Sequence, residues 1–434
     1  MPEHRNRTPI VVANRQAFFL LLLVLLWAAV FTSPYADAQT YSVLYNFTGG
    51  QDGAAPRAGV TLDRGGNMYG TTSAGGNLDG NCSVHLVGCG GVFRLKHSGS
   101  AWVLSPLYGF QWTDGAEPYA RVVFGPDGTL YGTTRGGGHP AMDCNSIGCG
   151  VVFNLRPPAT VCKTALCPWT ENLLWVFRYD LALGGNPLYG DLIFDPAGNI
   201  LGTTWISNQQ TYGGIFKLVP SGSSWTFSFV YQLPFSGDGG ELPYAGVIAD
   251  SAGNLYGTTS GGGPPRHGVV YELTPSGSQW TEQLLYSFQN GSDGGTPIGG
   301  LVFDRAGNLY GTTLTGGAGG GGTVYELSPS AGSWTLTTLH SFSGTFGSFA
   351  VLTMDASGNL YGTTVADGAF GQGNVFKLTH SNGGWTYTSL YDFTGGNDGG
   401  QPYGQVTLDA SDNLYGTTWT GGAHGQGVVW EITP

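Results

Sequence analysis

Charge is scarce in this chain. Only 10% of its 434 residues are Asp, Glu, Lys or Arg, and 16 Lys and Arg face 28 Asp and Glu, a formal net charge of −12. Without a basic surplus there is no electrostatic footprint for nucleic acid or an anionic membrane surface. Catalytic strings are missing as well: no G-x-S-x-G, H-E-x-x-H or GxxxxGK[ST] occurs. The histidines beyond the first segment (His85, His97, His139, His267, His340, His380, His424) share no motif. The run GGAGGGGTV near Gly316 lacks the Lys and the following helix of a phosphate cradle.

Glycine is plentiful, with 76 residues, and 13% of the chain is aromatic. That is too apolar and aromatic for a disordered chain and too glycine-rich for a helical one. An all-β repeat protein is the expected class.

Residues 1–38 stand apart. Arg5, Arg7 and Arg15 precede the apolar run Ala17–Phe31, and the small residues Ala36–Ala38 follow at the cleavage spacing of a secretory signal. The run is short for a membrane anchor. Cleavage after Ala38 would remove three Arg, Glu3 and Asp37, taking the charge to −13. A secreted protein, extracellular or periplasmic, without a membrane span in the mature chain is the expectation.

The heptapeptide GNLYGTT occurs at Gly253, Gly307 and Gly358, with looser copies from Gly66, Gly128, Gly198 and Asp412, seven in all. The YGTT positions lie 51 to 70 residues apart, too far for a solenoid coil and right for a four-stranded propeller blade. Each unit holds four strand-length runs, here called A to D: GLVFD (Gly300–Asp304), NLYGTT (Asn308–Thr313), GTVYEL (Gly322–Leu327) and WTLTTLHSF (Trp334–Phe342). The A-to-B link DRAGN fits a type I turn closed by a residue at positive φ. A glycine inside strand B costs stability unless a backbone or large ring approaches there, and Gly311 and its equivalents are expected to make room for a neighbouring blade. In WTEQLLYSF, the alternation of Trp280, Leu284, Tyr286 and Phe288 puts them on one face, against the adjacent blade.

The chain ends on a C strand, GVVWEITP, with no D strand after it. Gln39–Phe47 (QTYSVLYNF) matches the D run WTYTSLYDF at Trp385–Phe393. The N-terminal strand should therefore complete the last blade, closing a seven-bladed β-propeller of four antiparallel strands per blade with no open edge.

Six cysteines fall into short-range pairs, Cys82 with Cys89, Cys144 with Cys149 and Cys162 with Cys167. In an exported chain these read as disulfides stapling long loops, since the spacings are not those of zinc sites.

Five D-to-A loops carry an acidic turn, at Asp52, Asp114, Asp238, Asp293 and Asp398, and two of them add Glu117 and Glu241. Asp-Gly before Pro is turn chemistry. The same carboxylates could also meet sugar hydroxyls or Ca²⁺, although one Asp per blade spreads them too far apart for a single ion of six to eight ligands. No cofactor is expected. Tyr119, Tyr189, Tyr244 and Tyr403, just after the loop Pro, suit sugar or peptide stacking.

The repeat D-x-x-G-N-L-Y-G-T-T … G-x-V-[YF]-x-L … W-T … L-Y-x-F resembles the GloVer tandem-repeat family of exported bacterial proteins across the whole mature chain. The resemblance implies a secreted repeat protein and brings no catalytic residues. The sequence departs from the pattern at Leu201, where Tyr is expected, and at the missing acidic turn before Ala350. A weaker similarity, to kelch propellers, implies the same architecture. The expected role is a monomeric binding or surface-interaction module for carbohydrate or an extracellular protein. Two alternatives are a polysaccharide-active hydrolase or lyase using the loop carboxylates, and an adhesive role with no small ligand.

Overall fold

The computed structural model describes residues 39–434 except 85–86, 100, 139–143, 145–146, 159–168, 179–184, 206–210, 235–236, 278 and 382–383. The signal segment and the pair Cys162 and Cys167 lie outside the described residues. Thr40–Thr433 packs as one unit.

Seven four-stranded antiparallel sheets, with a short two-stranded pairing of Gly240–Glu241 and Gly261–Gly262, make up this unit. In the first blade, A is Thr61–Leu62, B is Met68–Thr72, C is Gly91–Ser98 and D is Ala101–Gly109, hydrogen-bonded in that order. The A strands of different blades converge on one axial cavity through Val123, Ile193, Ile248 and Val302, so A is innermost and D outermost. In the seventh blade the D position is filled by Thr40–Asn46, antiparallel to Val428–Thr433 with Thr40 opposite Thr433. Closure by the N-terminal strand is therefore as expected. Seven apolar clusters fill the seven gaps between blades, and the closing gap, with Phe47, Val60, Phe93 and Val429, is packed like the rest.

The structure assigns each letter of the repeated heptapeptide a task. The Asp opening the turn accepts backbone bonds two and four residues on: Asp304 Oδ1 takes the amides of Ala306 and Asn308, and Oδ2 takes Asn308 Nδ2 and Tyr310 OH. The Gly before Asn sits at positive φ (+87° at Gly307), and Asp412 holds the same place at +62°. The Gly after Tyr departs from expectation. A Cβ on Gly311 would lie 2.4 Å from the hydroxyl of Tyr325, the residue directly opposite it on strand C of the same blade. Phe93, Phe153, Phe216, Tyr271, Phe376 and Trp430 crowd the other six glycines in the same way. The space is made for the blade's own ring.

The first Thr joins blades. Its hydroxyl donates to a backbone carbonyl of the next blade at 2.7 to 3.4 Å in six of seven places: Thr71 to Ala120, Thr203 to Ala245, Thr258 to Gly299, Thr312 to Ala350, Thr363 to Gly404 and, across the closure, Thr417 to Ala58. Thr133 is the exception, buried with no partner for its hydroxyl.

Strand D also differs from the simple alternation. A bulge opposite the C strand skips Leu285, so Tyr271 pairs with Leu284 and Val270 with Tyr286. Trp280 and Leu284 then pack toward the preceding blade with Tyr271 and Leu273, while Leu285, Tyr286 and Phe288 pack toward the following one with Leu309 and Tyr325. The same shift occurs in all seven blades. On the outer rim this brings side chains of successive D strands face to face. Tyr391 stacks on Tyr41 at 3.8 Å, His340 on Tyr387 at 3.8 Å and Trp175 on Phe227 at 4.9 Å. Glu171 occupies the equivalent of Tyr41. Burial, with the Asp114 charge adding to it, pushes its carboxyl up to about 8, and Oε1 has no partner.

Two predictions follow from these contacts. Thr363→Val should cost about 1–3 kcal/mol in a denaturant titration, because it leaves a buried carbonyl unsatisfied, whereas Thr133→Val should be close to neutral. Equal costs would contradict the assignment. Glu171 titrates higher folded than unfolded, so from its ordinary 4.5 up to about 8 folding takes up a proton and stability falls as pH rises. Glu171→Leu, the residue found at the equivalent Leu104 and Leu336, should raise the thermal midpoint at pH 9 and change it little at pH 4.

Candidate functional site

The D-to-A and B-to-C loops share one face, and they aim one side chain per blade at the axis. In six loops the residue before the Pro (Ala55, Glu117, Asn186, Leu242, Thr296, Gln401) takes a left-handed φ of 51° to 61°. Such a backbone is costly without glycine. Here it is tied by backbone bonds: Glu117 N donates to Cys89 O and Asn186 N to Cys149 O, while Arg135 N donates to Glu117 O. Cys89 and Cys149 are themselves bonded to Cys82 and Cys144, so both described disulfides anchor loops of this face.

The turn delivers Arg57, Tyr119, Tyr189, Tyr244, Ile298, Phe349 and Tyr403 to equivalent places, each four residues before the first residue of its A strand. Tyr189 and Tyr403 are parallel at 6.4 Å, Tyr119 and Tyr189 lie 5.6 Å apart, and Phe349 touches both Tyr189 (6.0 Å) and Tyr403 (4.8 Å). A second tier comes from the residue after each GTT, where Trp419 meets Tyr403 at 5.6 Å and Trp205 meets Tyr244 at 5.9 Å. Except for buried Ile298, the inner-ring side chains are partly exposed.

Arg57 sits among them. Its guanidinium carbon is 4.6, 5.1 and 4.5 Å from the ring centres of Tyr119, Tyr403 and Trp419, and Nη1 donates to Tyr189 OH at 3.2 Å. Burial works against its charge, but the facing phenols outweigh it and the group stays cationic. Burial also pushes the Tyr189 hydroxyl up to about 12, although Arg57 opposes the shift. One layer down the ring narrows to Ala58, Ala120, Gly190, Ala245, Gly299, Ala350 and Gly404. Below these, Arg121 and Asp191 pair at 2.6 Å. A cavity of about 30 Å³ separates Arg57 and the aromatic ring from this pair, and a larger one of about 250 Å³ continues down the axis.

The acidic turns are placed differently. Asp52 accepts from Tyr45 OH and Thr48 N, Asp114 from Tyr108 OH and Gln111 N, Asp293 from Tyr286 OH, Gln289 N and Gly291 N, and Asp398 from Tyr391 OH and Thr394 N. Each is held by the end of its own D strand and its own loop. Asp238 lies in the corresponding turn of the fourth blade. Glu117 pairs with Arg135 at 2.6 Å, and Glu241, 9% exposed, accepts from Gly237 N. Among the described residues no group of three or more His, Cys, Asp or Glu is placed to hold a metal ion, and no helix is long and apolar enough to cross a membrane.

The structure thus brings Tyr119, Tyr189 and Tyr403 together, with Tyr244 beside Trp205, and leaves the five Asp dispersed. Arg57, Phe349, Trp205 and Trp419 were not anticipated. The signal for them was positional: they occupy the same repeat columns as the tyrosines and the residue after GTT.

The Gloeobacter/Verrucomicrobia repeat matches residues 29–190 and 187–430. No curated protein matches the chain. Among solved structures, the extracellular domain assigned to a hybrid two-component system of B. thetaiotaomicron aligns with a TM-score of 0.52 and 11% identity, over 90% of this chain and 39% of that one. A one-component-system counterpart from B. thetaiotaomicron gives 0.50 and 12%, over 91% and 40%. The chain therefore spans about two fifths of the length of these structures, and the likeness is one of fold.

Proposed function

The chain belongs to the Gloeobacter/Verrucomicrobia repeat family, and from that premise we propose that it is an exported propeller that binds carbohydrate at the mouth of its ring. One observation carries the reading: of seven equivalent positions on one face five are Tyr or Phe, with two Trp behind, and Tyr119, Tyr189, Phe349 and Tyr403 line one cavity with Arg57. Aromatic faces at a partly open mouth suit the apolar faces of sugar rings. Loop pairs tied by backbone bonds and disulfides supply the pre-organisation that binding requires. Export is supported by the leader-like first 38 residues and by the two disulfides, which belong to oxidising compartments.

Catalysis by the loop carboxylates has no observation in its favour. Four of the five Asp are engaged by their own turns, and Glu117 is neutralised by Arg135.

The test is co-sedimentation with insoluble polysaccharides, with released reducing ends measured in the same tubes. The protein should bind without releasing ends, and Tyr119→Ala with Tyr403→Ala should weaken binding about tenfold or more while the fold, followed by circular dichroism, is kept. Undiminished binding by the double variant would move the site elsewhere. Release of reducing ends would replace the reading with an enzymatic one.

A further inference from the structure

Arg57 is the only cation in the inner ring, at a position filled by Tyr, Phe or Ile in the other six blades. Its direct contacts are π faces and a phenol, and the one carboxylate lining the cavity beside it is that of Asp191. Asp191 is already committed to Arg121, and Glu117, two residues before Tyr119, to Arg135, each at 2.6 Å. Arg57 Nε is buried and has no hydrogen-bond partner. A guanidinium with a buried, unsatisfied donor and no counter-charge is costly, and an anion that reaches it removes that cost.

Size and shape narrow the anion. The cavity of about 30 Å³ against Arg57 and the rings of Tyr119, Tyr189, Phe349 and Tyr403 has room for the oxygens of a small group and none for a sugar ring. A planar carboxylate matches the planar guanidinium fork. A pyranose attached to it would stay above, on the exposed faces of Tyr403, Tyr119 and Phe349. We infer that the mouth is selective for acidic sugars, with a hexuronate carboxylate paired to Arg57 and its ring stacked on the surrounding aromatics. The inference rests on the carbohydrate-binding reading above and adds the ligand's chemical class.

Calorimetric titration of the protein with tri-galacturonic acid and with its fully methyl-esterified form tests it, because the ester keeps the sugar and removes the charge. The wild-type protein should prefer the acid by about tenfold or more. Arg57→Gln should bring acid and ester to parity, and its thermal midpoint reports whether the fold is kept. Arg57→Lys, which retains charge without the fork, should keep only part of the preference and serves if the Gln variant fails to fold. Equal affinities in the wild type, or a preference surviving in Arg57→Gln, would overturn the role of Arg57 and leave the carbohydrate reading standing. Failure of both trisaccharides, with binding of a peptide through its C-terminal carboxylate instead, would overturn the sugar assignment itself.

Discussion

One hydrogen bond organises both the scaffold and the mouth. The first Thr of each YGTT is buried in strand B, and its hydroxyl reaches the carbonyl immediately after the mouth residue of the next blade. Thr71 holds Ala120, beside Tyr119. Thr363 holds Gly404, beside Tyr403, and Thr417 holds Ala58, beside Arg57. The contact that joins neighbouring blades therefore also fixes where each mouth side chain begins. At the one place where it is missing, between the second and third blades, Arg121 and Asp191 pair across the gap at 2.6 Å.

The scaffold repeats while the mouth does not. The Asp–Asn–Tyr turn, the glycine under a C-strand ring and the D-strand bulge recur around the ring, and each answers a packing or hydrogen-bond demand common to all blades. The mouth column is free of those demands, since all of its side chains except Ile298 are partly exposed rather than packed between blades. It carries an arginine in one blade, an isoleucine in another and aromatics elsewhere. Variation at positions that the scaffold fixes but does not need is where a binding specificity can be written.

Blade number, strand order and closure were legible because they depend on period and length. A C strand with no D strand after it left the N-terminal strand one place to go. The glycine of YGTT was read in part: a close approach was evident, but the ring that approaches belongs to the blade's own C strand, since cross-strand register cannot be read from one strand. The D strand misled because a bulge shifts the facing of Tyr286 and Phe288 without a Gly to mark it. At the mouth, four tyrosines were visible as a residue type. Arg57, Phe349, Trp205 and Trp419 were hidden by their chemical difference, although the repeat alignment puts them in the same columns. The acidic turns drew the eye as carboxylates, and in the structure Asp52, Asp114, Asp293 and Asp398 hold their loops together.

The most direct test of the account is a crystal structure of the protein with an oligosaccharide fragment of whichever polysaccharide it retains. The account predicts the sugar seated at the axis on the loop face, in contact with Tyr119, Tyr403 and Arg57, with the blades unmoved. A sugar bound on the opposite face or along the outer rim of D strands would contradict it.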